Sequence, residues 1–173
     1  MKYSNRKVQI GEVADSIRNG LSVKQYRDFN GLPITRIETI ANGVIDPVRV
    51  GYAGISPGEK DEWLLKNGDI LISHINSKEH LGKCAIYEES PKHLIHGMNL
   101  LNLRLNTQKA YPWFILHILK SPQFRSTLSK ITKDSVNQSS FNISSFKELV
   151  IPLPPISDQK RIAAILDKAD IIR

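Results

Sequence analysis

Apolar and polar positions follow several rhythms along this chain, and the changes of rhythm mark its elements. Leu101, Leu103 and Leu105 alternate strictly with Asn102, Arg104 and Asn106. This predicts a half-buried strand, because successive strand side chains point to opposite faces. Ile70-Leu71-Ile72 is an unbroken apolar run after the Asn67-Gly68-Asp69 turn, the pattern of a buried strand. Lys83 to Tyr87 reads as its partner, leaving Ser73 to Gly82 as an exposed connection. Ile10, Val13, Ala14 and Ile17 recur at helical spacing and predict a helix to Arg18, stopped by Asn19-Gly20. Ile34 and Ile37 punctuate Leu32 to Ile40, and Asn42-Gly43 turns the chain.

The last third is more helical. Pro112 suits a first helical position before Trp113 to Lys120, and Ser121-Pro122 supplies cap and first residue for a second helix. There Phe124, Leu128 and Ile131 share a face, with Arg125 and Lys130 outside. Thr132 to Ser145 is dense in Ser, Asn and Gln and has no period. Ser145 to Glu148 has capping-box spacing before Leu149-Val150-Ile151, and Pro152, Pro154 and Pro155 force a stiff extended segment. Ser157 is placed to cap a final helix with an apolar seam of Ile162, Ile165, Leu166, Ala169 and Ile172. That seam is still running at Arg173, and it is expected to pair with another helix. Together these elements predict an α+β (mixed α/β) globular domain over residues 1–155 and the start of a long helix, of coiled-coil type, over 156–173.

Composition narrows the class. The chain has 173 residues, 40% hydrophobic and 24% charged, which excludes a disordered or fibrous protein. No apolar run approaches the roughly 20 residues that span a bilayer, and residues 1–10 lack a signal-peptide hydrophobic region. The lone Cys84 excludes a disulfide framework and suits a reducing cytoplasm. The net charge of +7 is unevenly placed: Ser90 to Lys147 holds eight basic residues and one acid, Asp134. Such an excess points to a polyanion.

Catalytic constellations do not emerge. Cys84 sits within an apolar strand and reads as a core thiol. His93 and His96 have no Cys or carboxylate at metal-ligand spacing. Gly54 to Lys60 superficially resembles a phosphate loop, but its glycines are misplaced and Asp61 stands where Ser or Thr belongs. Neither a dinucleotide fingerprint nor the Asp/Asn-Pro-Pro-aromatic tetrapeptide of amino-methyltransferases is found. Three polar segments instead carry groups suited to base edges: Asn19 to Gln25, Ser73 to Lys78 and Lys133 to Ser140. Asn and Gln amides pair with adenine, Arg and Lys with guanine, and Ser hydroxyls with either donors or acceptors. Loops favour the same residues for turn reasons alone.

From Glu148 onward the residues become specific. Glu148-Leu149-Val150-Ile151-Pro152-Leu153-Pro154-Pro155-Ile156, then Asp158-Gln159-Lys160-Arg161-Ile162-Ala163 and Ile165-Leu166-Asp167, closely resemble a junction in the specificity subunits of type I restriction-modification systems. There a target recognition domain meets a conserved helix. Pro33 to Ile37, Asn67 to Ser73, Leu81-Gly82-Lys83 and Gly97-Met98-Asn99 follow in the family's order, so the resemblance covers essentially the whole chain.

The resemblance implies a non-catalytic subunit that reads one half of a split double-stranded DNA target and docks modification subunits, with a restriction/translocase subunit in the same assembly. S-adenosylmethionine, ATP and magnesium then belong to those partners, and none to this chain. Full-length members have two recognition domains, so the chain is expected to be a half-length subunit, pairing with a copy of itself or another half, or a fragment. Candidate DNA-contacting residues are Ser22, Lys24, Gln25, Arg36, His74, Asn76, Ser77, Lys78, Lys83, Lys133, Asn137, Gln138, Ser139 and Ser140. Lys78 and Lys133 are expected on phosphates, and Ser22, Asn76 and Gln138 nearer bases. Competing readings are a stand-alone DNA-binding module or regulator, and a small enzyme or toxin sharing the architecture.

Overall fold

In the computed structural model, which describes residues 6–171, the chain opens with strand β1 (Lys7–Gln9) and one helical turn, α1 (Ile10–Val13), then runs on as strand β2 (Ala14–Asn19). The helix expected to reach Arg18 therefore ends after four residues. The reason is tertiary. Ile17 lies opposite Leu103 and Asn19 opposite Leu101 in an antiparallel ladder, which outweighs a short helix that is marginal alone.

Two-residue strands β3 (Pro33–Ile34) and β4 (Gly51–Tyr52) pair with each other. Strand β5 (Ile70–Ser73) is buried along its whole length, as its apolar run predicts, and leads into the short β6 (Ile75–Asn76). Strand β7 (Cys84–Ile86) pairs antiparallel with β5, setting Leu71 opposite Ala85. Strand β8 (Leu100–Leu105) pairs with β5 on one edge and β2 on the other, giving the order β2-β8-β5-β7. The alternation in β8 is real, but the strand is not half-buried: Asn102 is fully buried, as are the leucines. Its polar face is covered because Asp69, itself buried, accepts from Asn102 Nδ2 at 3.0 Å and from Arg104 Nε at 2.8 Å.

Helices α2 (Pro112–Lys120) and α3 (Pro122–Ser129) begin at their prolines as expected, and Ser121 Oγ accepts from Phe124 N. Strands β9 (Lys133–Asp134) and β10 (Ser139–Ser140) interrupt the polar loop. Helix α4 (Ile143–Glu148) is capped by Asn142, whose Oδ1 accepts from Ser145 N at 2.8 Å. The box read from Ser145 thus starts three residues late. Strand β11 (Val150–Pro152) pairs antiparallel with β1, and the last helix, α5, is Ile156–Ile171. Its first turn closes on Pro155 O, so Ser157 lies inside the helix and does not cap it.

One apolar cluster joins the sheet to α2, α3 and α4 through residues such as Leu103, Ile115, Leu128 and Phe146. A smaller one, with Leu71, Tyr87, Leu94 and Leu100, covers the opposite sheet face. Each such side chain removed from water contributes roughly 1.5–3 kcal/mol. The α5 seam divides. Ala163 is buried and Ile162 half-buried against the domain's own core, whereas Ile165 is 61% exposed, and Leu166 and Ala169 are exposed. Gln159, buried, fastens the helix: its Oε1 accepts from Tyr111 N at 2.8 Å and its Nε2 donates to Pro154 O at 2.8 Å. The helix is therefore partly packed on its own domain. Ile172 lies outside the described residues.

Candidate nucleic-acid interface

The second and third polar segments, more than 50 residues apart in sequence, form one small sheet of order β6-β10-β9. Ser139 faces Asn76 on one side and Asp134 on the other, and Ser140 faces Ile75 and Lys133. Lys78 Nζ reaches Asp134 Oδ2 at 2.9 Å. The β9–β10 turn, Ser135 to Gln138, stands in solvent with Val136 97% exposed beside exposed Asn137 and Gln138. Ser77, Lys78 and Lys133 are exposed as well.

Several expected readers are committed elsewhere. Asn76 Nδ2 donates to Ser73 Oγ at 3.0 Å and its Oδ1 accepts from Ser77 N, so that amide is oriented by its own turn. Ser139 is buried and donates to Asp134 Oδ1 at 2.6 Å. His74 is buried edge-on to Phe141, with ring centroids 6.2 Å apart, and burial lowers its pKa. The connection expected to be exposed from Ser73 to Gly82 is exposed only at Ser77, Lys78 and Glu79, with Leu81 and Gly82 buried at its far end. Ser140 is half-buried.

The first segment reaches this surface through a strip not singled out for contact, His96 to Asn99. Leu21 N donates to His96 O and Met98 N to Leu21 O, while His74 engages the Asn99 backbone. Gly20 has to be glycine here, because a Cβ would overlap the Gly97 carbonyl. Met98 is 48% exposed and Asn99 has φ +76°. The Gly97-Met98-Asn99 triplet was the only sequence signal for this strip. Within the first segment Ser22 and Lys24 are exposed, but Gln25 Nε2 leans toward Thr35 O. Arg36 is paired with Glu38 at 2.8 Å. Lys83 lies apart from the loops, donating to Ala41 O at 3.1 Å.

Burial dominates the titrations of Cys84 and His96. The Cys84 thiol is pushed up to about 11 by desolvation, opposed by Lys120 and Arg125, which is core-thiol behaviour. His96 is pushed down to about 4, first by desolvation, while its Nε2–H donates to Leu100 O at 2.9 Å. Arg18 lies 4.6 Å from the centroid of Trp63 and donates to Glu62 O. Among the described residues no group of three His, Cys, Asp or Glu is arranged to hold a metal ion. None of the described helices is long and apolar enough to cross a membrane.

A mixed α/β core that offers polar loops on one side is the construction of a recognition domain. The chain belongs to the type I restriction modification DNA specificity domain family, whose model matches residues 4–172. It is 47% identical, over 94% of its length, to a Methanocaldococcus jannaschii protein assigned as the MjaX type I restriction enzyme specificity subunit. It is 28% identical, over 96% of its length, to the EcoKI specificity subunit of Escherichia coli. It covers only 38% and 37% of those proteins, so the chain spans under two fifths of these relatives. The fold is shared with the crystal structure of the HsdS subunit from Thermoanaerobacter tengcongensis, at TM-score 0.67 and 24% identity over 94% of this chain and 36% of that one. The S subunit from M. genitalium gives 0.68 and 16%, over 98% of this chain and 40% of that one.

Proposed function

We propose that this chain reads one half of a bipartite duplex DNA target as the recognition module of a type I restriction-modification complex. The observation that carries this is the sheet β6-β10-β9, which merges two polar segments into one projecting surface of Ser77, Lys78, Lys133, Asn137 and Gln138. A two-stranded ribbon of this size enters a major groove, where amides discriminate base edges and lysines meet phosphates. Family membership and the likeness to named specificity subunits support the same reading.

In this reading the chain is not itself an enzyme and works in the cytoplasm. Methylation, with S-adenosylmethionine, and ATP- and magnesium-dependent restriction reside in partner subunits. The exposed half of the α5 seam, Ile165, Leu166 and Ala169, serves those modification subunits or a second recognition chain. Methylome sequencing of the source cell with and without the gene tests the function. Loss of one bipartite methylated motif is the expected result, and an unchanged methylome rejects it.

A further inference from the structure

Away from the projecting sheet, three cations converge on one concavity of about 420 Å³, lined by Ala41, Gly43, Gly82, Lys83, Lys120 and Arg125, among others. Lys83 immediately precedes β7, Lys120 ends α2, and Arg125, five residues further on, lies in α3. No carboxylate lines the concavity. Each cation is held by a backbone carbonyl instead. Lys83 Nζ donates to Ala41 O at 3.1 Å, Lys120 Nζ to Gly43 O at 3.1 Å and Arg125 Nη2 to Leu81 O at 3.2 Å.

One carbonyl satisfies one N–H. An ammonium has three and a guanidinium five, so each group is steered into place with most of its donors and all of its charge left over. The acids on neighbouring concavities have hydrogen-bond partners of their own, Asp134 in Lys78, Asp167 in His117 and Glu88 in Trp113 Nε1, the last two in a hollow that Lys120 also lines. Arg125 also lines the adjoining hollow that contains Lys78 and Asp134. Arg125 thus lines both hollows, so the concavity with Lys83 and Lys120 adjoins the one with Lys78.

We propose that Lys83, Lys120 and Arg125 form a phosphate clamp that grips the DNA backbone flanking the half-site read by the β9–β10 turn. The proposal rests on the DNA-reading function above. Fixed cations with spare donors and no carboxylate in the concavity's own lining suit a backbone phosphate, which carries full charge and several acceptor oxygens. The clamp sets register and carries no sequence information.

The test uses Lys120→Gln/Arg125→Gln and Lys83→Gln, each of which keeps an amide donor for its carbonyl while losing the charge. Binding of the chain to a short duplex is followed by fluorescence anisotropy across a salt series, with thermal melting as the fold control. Each lost phosphate contact lowers the slope of log K against log salt by about 0.9. The double variant should therefore lose about two units of slope, and its affinity should fall equally on target and random duplexes. An unchanged slope in variants that melt like the parent, with the parent still binding DNA, overturns the clamp and leaves the reading function standing. A parent chain that binds no duplex overturns both. Thermal stabilisation by inorganic phosphate without any change in duplex binding assigns the concavity to a free anion, and also overturns the clamp.

Discussion

Lys78 Nζ and Asp134 Oδ2 stand 2.9 Å apart, an exposed ion pair between side chains 56 residues apart in sequence. The hydroxyl of Ser139 and the Lys78 ammonium hold the Asp134 carboxyl below its usual range, and hydrogen bonding to Asp134 raises Lys78. Both groups are solvent-exposed, so the pair adds little stability. Its larger effect is on DNA, because Asp134 competes with phosphate for Lys78. Asp134→Asn should melt like the parent and bind random duplex more tightly, and anisotropy showing weaker binding would contradict this.

Gln138 and Lys133 sit on the same turn and are expected to fail differently. Gln138→Ala should cost about 1–3 kcal/mol on the target half-site and little on random DNA. Lys133→Ala should weaken both equally and make the salt dependence shallower by about 0.9. Paired titrations on the two duplexes separate the roles. Equal losses for Gln138→Ala would reject base reading by that side chain.

Stability should be most sensitive at Asp69. This buried carboxylate receives Arg104 through two nitrogens, at 2.8 and 2.6 Å, together with Asn102 Nδ2 and Lys66 N. Asp69→Ala strands a buried amide and a largely buried guanidinium, at a cost of about 3–5 kcal/mol in urea unfolding. A loss below 1 kcal/mol would show that water replaces the carboxylate.

Acid should weaken the fold through His96. The unfolded chain takes up that proton near pH 6.5, the folded one only near 4. The unfolded state therefore binds the extra proton inside this window. Stability is full above about pH 6.5 and declines as pH falls to about 4, by up to roughly 3 kcal/mol. His74, lowered for the same reason, acts with the same sign. His96→Gln retains a donor for Leu100 O and should flatten the decline measured by denaturant titration at pH 7 and 4.5.

Along α5, two substitutions should part stability from assembly. Gln159→Ala removes bonds to Tyr111 N, Lys109 O and Pro154 O, costing about 1–3 kcal/mol. Ile165→Asp, at a 61% exposed site, should leave the melting temperature unchanged and abolish self-association or docking of the proposed modification subunits. A drop in melting temperature for Ile165→Asp would place that residue in the domain core.

What the sequence reveals of this molecule depends on how local each cause is. The runs of β5 and β8 and the proline-started α2 and α3 are legible because three or more residues repeat one period or carry one cap. The turn from α1 into β2 is not, because Ile10, Val13, Ala14 and Ile17 keep helical spacing while pairing with β8 decides otherwise. Strands of two residues, such as β6, β9 and β10, are too short to show any period. The proposed reading surface is therefore visible as polar segments but not as one sheet. For the same reason the sequence does not show that Ser73 holds Asn76 or that Asp134 holds the buried Ser139.

The pairing of β1 with β11 has a consequence for how such a domain can be rebuilt. Lys7 lies across from Pro152 and Gln9 across from Val150, so the fold is entered and left at a single edge. Everything between is closed off by that one edge. Exchanging what lies between for another segment of the same closure needs that seam matched, and also the Tyr111 N and Lys109 O on which Gln159 seats the helix beyond Pro155.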